Sequence, residues 1–73
     1  DADVVLKHLR SYGLNELQTQ IALLIARGDS EGEICDQLHI ARGTVKSYRS
    51  RIYVALGIHS AAELQKVITS LLS

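Results

Sequence analysis

Between its glycines, this chain repeats apolar residues at intervals of three and four. Leu17, Ile21, Leu24 and Ile25 form one such stripe, and Gly28 follows it. Val45, Tyr48, Ile52, Ala55 and Leu56 form another, and Gly57 follows that. This spacing gathers side chains on one face of a helix, whereas a half-buried strand would need alternation. The chain therefore reads as all-α, a small bundle of four helices. Residues 1–12 read as either a linker or a short extra N-terminal helix. Residues 13–73 read as one domain. Seventy-three residues allow no more than that, and the 47% apolar content supplies a core of marginal size.

Start and stop signals agree with the stripes. Asn15 is suited to an N-cap, with Gln18 three positions on as in a capping box. Glu16 meets the positive end of the helix dipole, and Arg27 stands in the last turn. Ser30 caps a short helix over 30–38, with Glu31 and Glu33 in its first turn and Ile34, Cys35 and Leu38 turned inward. His39 and Ile40 break it, and His39 suits a left-handed backbone. A longer helix follows over about 42–56. Ser60 opens a last one over 61–72, carrying Leu64, Val67, Ile68, Leu71 and Leu72. Ahead of these, Val5, Leu9 and Tyr12 share a face, and Leu23 points away from its own stripe. The segment 2–12 is expected to fold back and cover Leu23 with Val5 and Leu9.

Net charge conceals the arrangement. Eight Lys and Arg balance eight Asp and Glu, but residues 1–36 hold seven acids and three bases, while residues 37–73 hold one acid and five bases. Four of those bases, Arg42, Lys46, Arg49 and Arg51, fall in one acid-free helix. A basic face can steer a neutral molecule toward a polyanion. On that helix Gly43, Lys46, Ser47 and Ser50 lie opposite the apolar stripe. Arg42 and Arg49 flank one side, and Arg51 flanks the other. A helix with small residues along its outer centre line can approach base edges in a DNA major groove. Two helices joined by a short turn, the second built this way, form a helix-turn-helix.

Residues 28–64, GDSEGEICDQLHIARGTVKSYRSRIYVALGIHSAAEL, resemble the LuxR/GerE-type helix-turn-helix of bacterial transcription regulators. The likeness runs without a gap from residue 14 to about 70. Leu14, Gly28, Ser30, Glu33, Ile34, Leu38, Ile40, Thr44, Val45, Lys46, Ile52, Leu56, Gly57 and Ser60 match the family pattern. Thr44-Val45-Lys46, followed at the right distance by Leu56-Gly57, is the most specific part. The resemblance implies sequence-specific DNA binding with the helix 42–56 in the major groove. Lys46, Ser47, Ser50 and Gly43 are then expected at bases. Ser30, Arg42, Thr44, Tyr48, Arg49 and Arg51 are expected at phosphates. It further implies a homodimer on DNA through the last helix, with Leu64, Ile68 and Leu71 as its surface, and RNA polymerase as a further partner.

This sequence also departs from the pattern. Leu17, Gln18 and Gln20 replace an arginine and two acids. Gly32 replaces a lysine, Ala41 a hydroxyl cap, Tyr48 a histidine and Ala61 an arginine. Several expected phosphate contacts are thereby lost. A degenerate helix-turn-helix that grips another protein is the alternative from a different class, and a fragment like region four of a sigma factor ranks third.

Other chemistry is not encoded here. His8, His39 and His59 are far apart and lack the spacing of metal ligands, so neither a metal nor a cofactor is expected. No nucleophile–base pair or carboxylate pair stands out, so an enzyme is not expected. The single Cys35 reads as a core thiol. It forms no internal disulfide, which fits a reducing cytoplasm. No apolar run reaches the roughly 18–20 residues of a membrane span, so no membrane partner is expected. The absence of Met predicts a piece cut from a longer chain.

Overall fold

A computed structural model describes residues 2–72, which form five helices and no strand. They are α1 (Ala2–Ser11), α2 (Glu16–Arg27), α3 (Glu31–Leu38), α4 (Arg42–Leu56) and α5 (Ala61–Leu72). The all-α reading holds, and the extra N-terminal helix is present.

Local chemistry sets the helix ends. The Asn15 side chain accepts from the Gln18 N–H at 2.8 Å, and the Gln18 side chain accepts from the Asn15 N–H at 2.9 Å. Ser30 and Glu33 make the same reciprocal pair at the start of α3. These boxes satisfy donors that a helix start leaves open. At α5 the arrangement shifts by one residue. Ser60 Oγ accepts from the Glu63 N–H, while the Glu63 carboxylate accepts from the His59 N–H. Gly28 (φ 99°) and Gly57 (φ 68°) close α2 and α4 in the left-handed region. After each, the next N–H reaches back, Asp29 to the Leu24 carbonyl and Ile58 to that of Tyr53, as in a Schellman turn. His39 takes the same role at the end of α3 with φ 56°, so the turn into α4 is only three residues long.

The core runs through all five helices. Val5 and Leu9 come from α1, and Ile21, Ala22 and Ile25 from α2. Ile34 comes from α3, Val45 and Ile52 from α4, and Leu64 and Ile68 from α5, with Leu14 between α1 and α2. Helix α2 is central and packs against α5, α4, α1 and α3. Its buried Thr19 donates from the hydroxyl to the Asn15 carbonyl at 2.9 Å, so no polar group is stranded there. Cys35 is half-buried against the cluster. A side-chain bond also joins α5 to α2, where Gln65 Nε2 donates to the Ala26 carbonyl at 2.8 Å.

The residues expected at a dimer surface are largely buried within the single chain. Leu64 is 0% exposed and Ile68 is 8% exposed, and Leu71 is half-buried against the core. Helix α1 packs on α5 and adds Val5 and Leu9 to the cluster that holds Leu64 and Ile68. Leu64 and Ile68 are interior and Leu71 is partly covered, and α1 packs along the same helix. Leu23 departs from expectation too. It lines a shallow hollow with Gln20, Leu24, Gln37 and Leu38 between α2 and α3.

At the α2–α3 junction, Arg27 donates to both carboxylate oxygens of Asp29, and Gln37 adds a bond to the same carboxylate at 2.6 Å. The hydrogen bond from Arg27 first, and that from Gln37 second, hold the Asp29 carboxyl below the usual aspartate range. A depressed folded value stabilises the fold above the unfolded pKa, near about 3.9, and this is lost as pH falls through the folded value. Two outcomes follow from this packing. Leu9→Ala should lower the urea-unfolding free energy by about 2–4 kcal/mol, as cavity formation in a core does; a loss within about 0.5 kcal/mol, the range of surface substitutions, would mean that α1 is not docked. On acidification below about pH 4, Asp29→Asn should lose less stability than the wild-type chain, measured by the same urea titration.

Candidate nucleic-acid interface

The interface is built on α4, whose rotation is set by burial. Val45 and Ile52, seven residues and about two turns apart, are fully buried. Tyr48, Ala55 and Leu56 pack beside them, half-buried. The opposite face is thereby turned to solvent. Gly43, Lys46, Ser47 and Ser50 are all exposed, as their spacing predicts. No acid occurs anywhere along α4. Ala41 stands at its N-cap without a side-chain hydrogen bond. The first N–H groups of α4 are therefore uncapped by a hydroxyl.

The flanking cations differ in their surroundings. Arg42 and Arg51 are exposed, and no ion pair engages Arg42, Lys46 or Arg51 among the described residues. The Arg51 guanidinium lies 5.9 Å from the centre of the Tyr48 ring, within reach of a cation–π contact. The Arg42 guanidinium leans back over α3, where a Cβ placed on Gly32 would lie 3.2 Å from it and 3.9 Å from the Ser30 hydroxyl. The glycine at 32 leaves that space to Arg42. Arg42 and Ser30, twelve residues apart, thus both border Gly32 in the first turn of α3. The Ser30 hydroxyl oxygen accepts from the Glu33 N–H, but its own proton remains available for donation. Thr44 is half-buried in the first turn of α4.

Arg49 stands apart from the other cations. Its guanidinium donates to the Glu31 carboxylate in a half-buried ion pair that ties α4 to α3. The groove around the pair is lined by Ser30, Val45, Tyr53 and Ala61, among others. Tyr53, which its place on the helix turns toward solvent, is half-buried in that groove. Burial pushes its hydroxyl pKa up, and the nearby Arg49 only partly offsets this. The sequence places Glu31 near the expected path of DNA and Arg49 beside the apolar stripe. It does not show that the two would meet, because they lie eighteen residues apart.

As a whole, the surface is one convex helix with hydrogen-bonding groups along its ridge and two free cations at its margins. It has the width and polarity to enter a groove. Among the described residues, no group of His, Cys, Asp and Glu is placed to hold a metal ion, and no helix is long and apolar enough to cross a membrane.

Comparison with known proteins agrees with this geometry. The family model described as bacterial regulatory proteins, luxR family, matches residues 14–68. Response regulator UvrY of Escherichia coli (strain K12) is 43% identical over 51 residues, which cover 70% of this chain and 23% of that protein. The protein of the same name from Shigella flexneri matches equally. The chain thus spans about a quarter of the length of the curated relatives it matches. No solved structure matches it. With the family model covering α2 through most of α5, this chain belongs to the luxR family of bacterial regulatory proteins, whose helix-turn-helix binds DNA in transcription regulation.

Proposed function

We propose that this chain is the sequence-specific DNA-binding domain of a bacterial transcription regulator acting in the cytoplasm. In this reading α4 lies in the major groove of double-stranded DNA. The observation that carries it is the exposed ridge of Gly43, Lys46, Ser47 and Ser50 on a helix without acids. Lys46 donates to guanine O6 or N7, and Ser47 and Ser50 donate to or accept from base edges. Gly43 lets the backbone come close. Arg42, Arg51, Ser30, Thr44 and the Tyr48 hydroxyl serve phosphates, which set register and most of the affinity. The DNA-binding unit is 13–73, with α1 as a brace. The match covers 23% of relatives named response regulators, which supports this chain being one part of a longer protein; RNA polymerase is a further partner in this reading.

Arg49 reaches a phosphate in this reading only by giving up its partner. Its guanidinium is held by Glu31, so a phosphate must compete with a carboxylate for it. That pairing also gives the protein-interaction reading its one specific support. Salt separates the two readings. With Arg42 and Arg51 each neutralising a phosphate, the slope of log affinity against log salt is near −1.8, and affinity falls about 12-fold between about 50 and about 200 mM salt. Apolar docking on a protein has no such slope.

The first test is an NMR titration of the labelled chain with short duplex DNA at those two salt concentrations. Shifts gathered at residue 30 and residues 42–51 that collapse at the higher salt are expected, and Lys46→Ala should weaken binding about tenfold. No shift at the lower salt refutes the reading. A second test isolates Glu31. Glu31→Gln should tighten DNA binding severalfold and steepen the salt slope by about 0.9. Arg49→Gln alone should change little, and adding it to Glu31→Gln should abolish the gain, as a double-mutant cycle would register. Equal affinity of Glu31→Gln and wild type would show that the pair does not restrain Arg49.

A further inference from the structure

Val54 is 82% exposed, and it alone among the large apolar side chains of α4 takes no part in the core cluster. A lone exposed valine is ordinary on a protein surface. Its position is what distinguishes this one. At about 100° per residue, Gly43, Ser47, Ser50 and Val54 fall along one narrow line on the outer face of α4. The first three are small or polar, and the fourth is branched and apolar. Packing does not require it, and valine forms helix less readily than alanine or lysine. Next to it, Ser50, Arg51, Val54 and Ala55 enclose a shallow hollow whose lining is almost wholly apolar.

The major groove offers one apolar feature among its donors and acceptors, the C5-methyl of thymine. From Gly43 to Val54 the helix rises about 16 Å, or about five base-pair steps. A helix laid along the groove over that length carries Val54 past a base pair well separated from those facing Ser47. We infer that Val54 is a specificity-determining residue, which selects thymine at one position of the operator half-site by covering its methyl group. Ser50 and the stem of Arg51 form the sides of the contact. This inference rests on the proposal that α4 reads DNA, and it adds one element of the sequence read.

The test uses the whole chain and duplexes selected by it from random-sequence DNA. Each thymine of the selected site is replaced in turn by deoxyuridine, which lacks only the methyl. At one position per half-site the replacement should weaken wild-type binding about fourfold, the worth of burying one methyl-sized group. Val54→Ala, at an exposed site that the fold does not need, should bind the thymine and deoxyuridine duplexes equally at that position. Equal losses for wild type and Val54→Ala at every position would overturn the inference, as would the absence of any deoxyuridine effect. Salt-sensitive binding from which no preferred sequence emerges would overturn it too. In the first two cases the DNA-reading proposal survives, whereas in the last only DNA binding without sequence preference does. The absence of salt-sensitive binding by either protein refutes that proposal and this inference together.

Discussion

Val45 and Ile52 are the two side chains on which the arrangement depends. They are fully buried, β-branched and two turns apart on α4. Two anchors on one helix fix its rotation about its own axis, which a single anchor would not. Once that rotation is fixed, the outward residues follow from helical geometry, without any contact of their own. Lys46 sits next to Val45 in sequence and on a different side of the helix. The motif Thr44-Val45-Lys46 therefore combines one residue that orients the helix with one turned to the groove.

Most of the fold was legible because its signals are local. Asn15 with Gln18, Ser30 with Glu33, and Ser60 each mark a helix start by chemistry acting within four residues. Gly28 and Gly57 mark stops through their backbone conformation. The ridge of α4 was legible as well, since helical periodicity alone divides inside from outside. What the sequence concealed spans longer distances. Leu64 and Ile68 look like a surplus stripe until Val5 and Leu9 arrive from sixty residues away to share their cluster. Glu31 and Arg49 each have a plausible solvent-facing role when read alone. Their pairing depends on how α3 is set against α4, and no local pattern records it.

The same packing explains how a neutral chain presents a basic face. The acids are densest on α3 and in the turn before it, and three of the chain's unpaired cations lie together on α4. Where the two sets meet, Glu31 neutralises Arg49 and Asp29 neutralises Arg27. Arg42, Lys46 and Arg51 stay unpaired because α4 contributes no acid and the neighbouring helices bring none against them. Charge is thus segregated most sharply between α3 and α4, and the two ion pairs stand at junctions between helices.

Helix α1 has a practical consequence for where this protein can be divided. The family match begins at residue 14, so a boundary drawn by family likeness falls just after Gly13. The cooperative unit is longer, because Val5 and Leu9 complete the cluster built around α2 and α5. A fragment cut at the family border would leave an apolar strip along α5 with its cover removed. Such a strip is an exposed apolar patch of the kind that associates in solution, so a fragment bounded at residue 14 presents a surface that α1 covers in this chain.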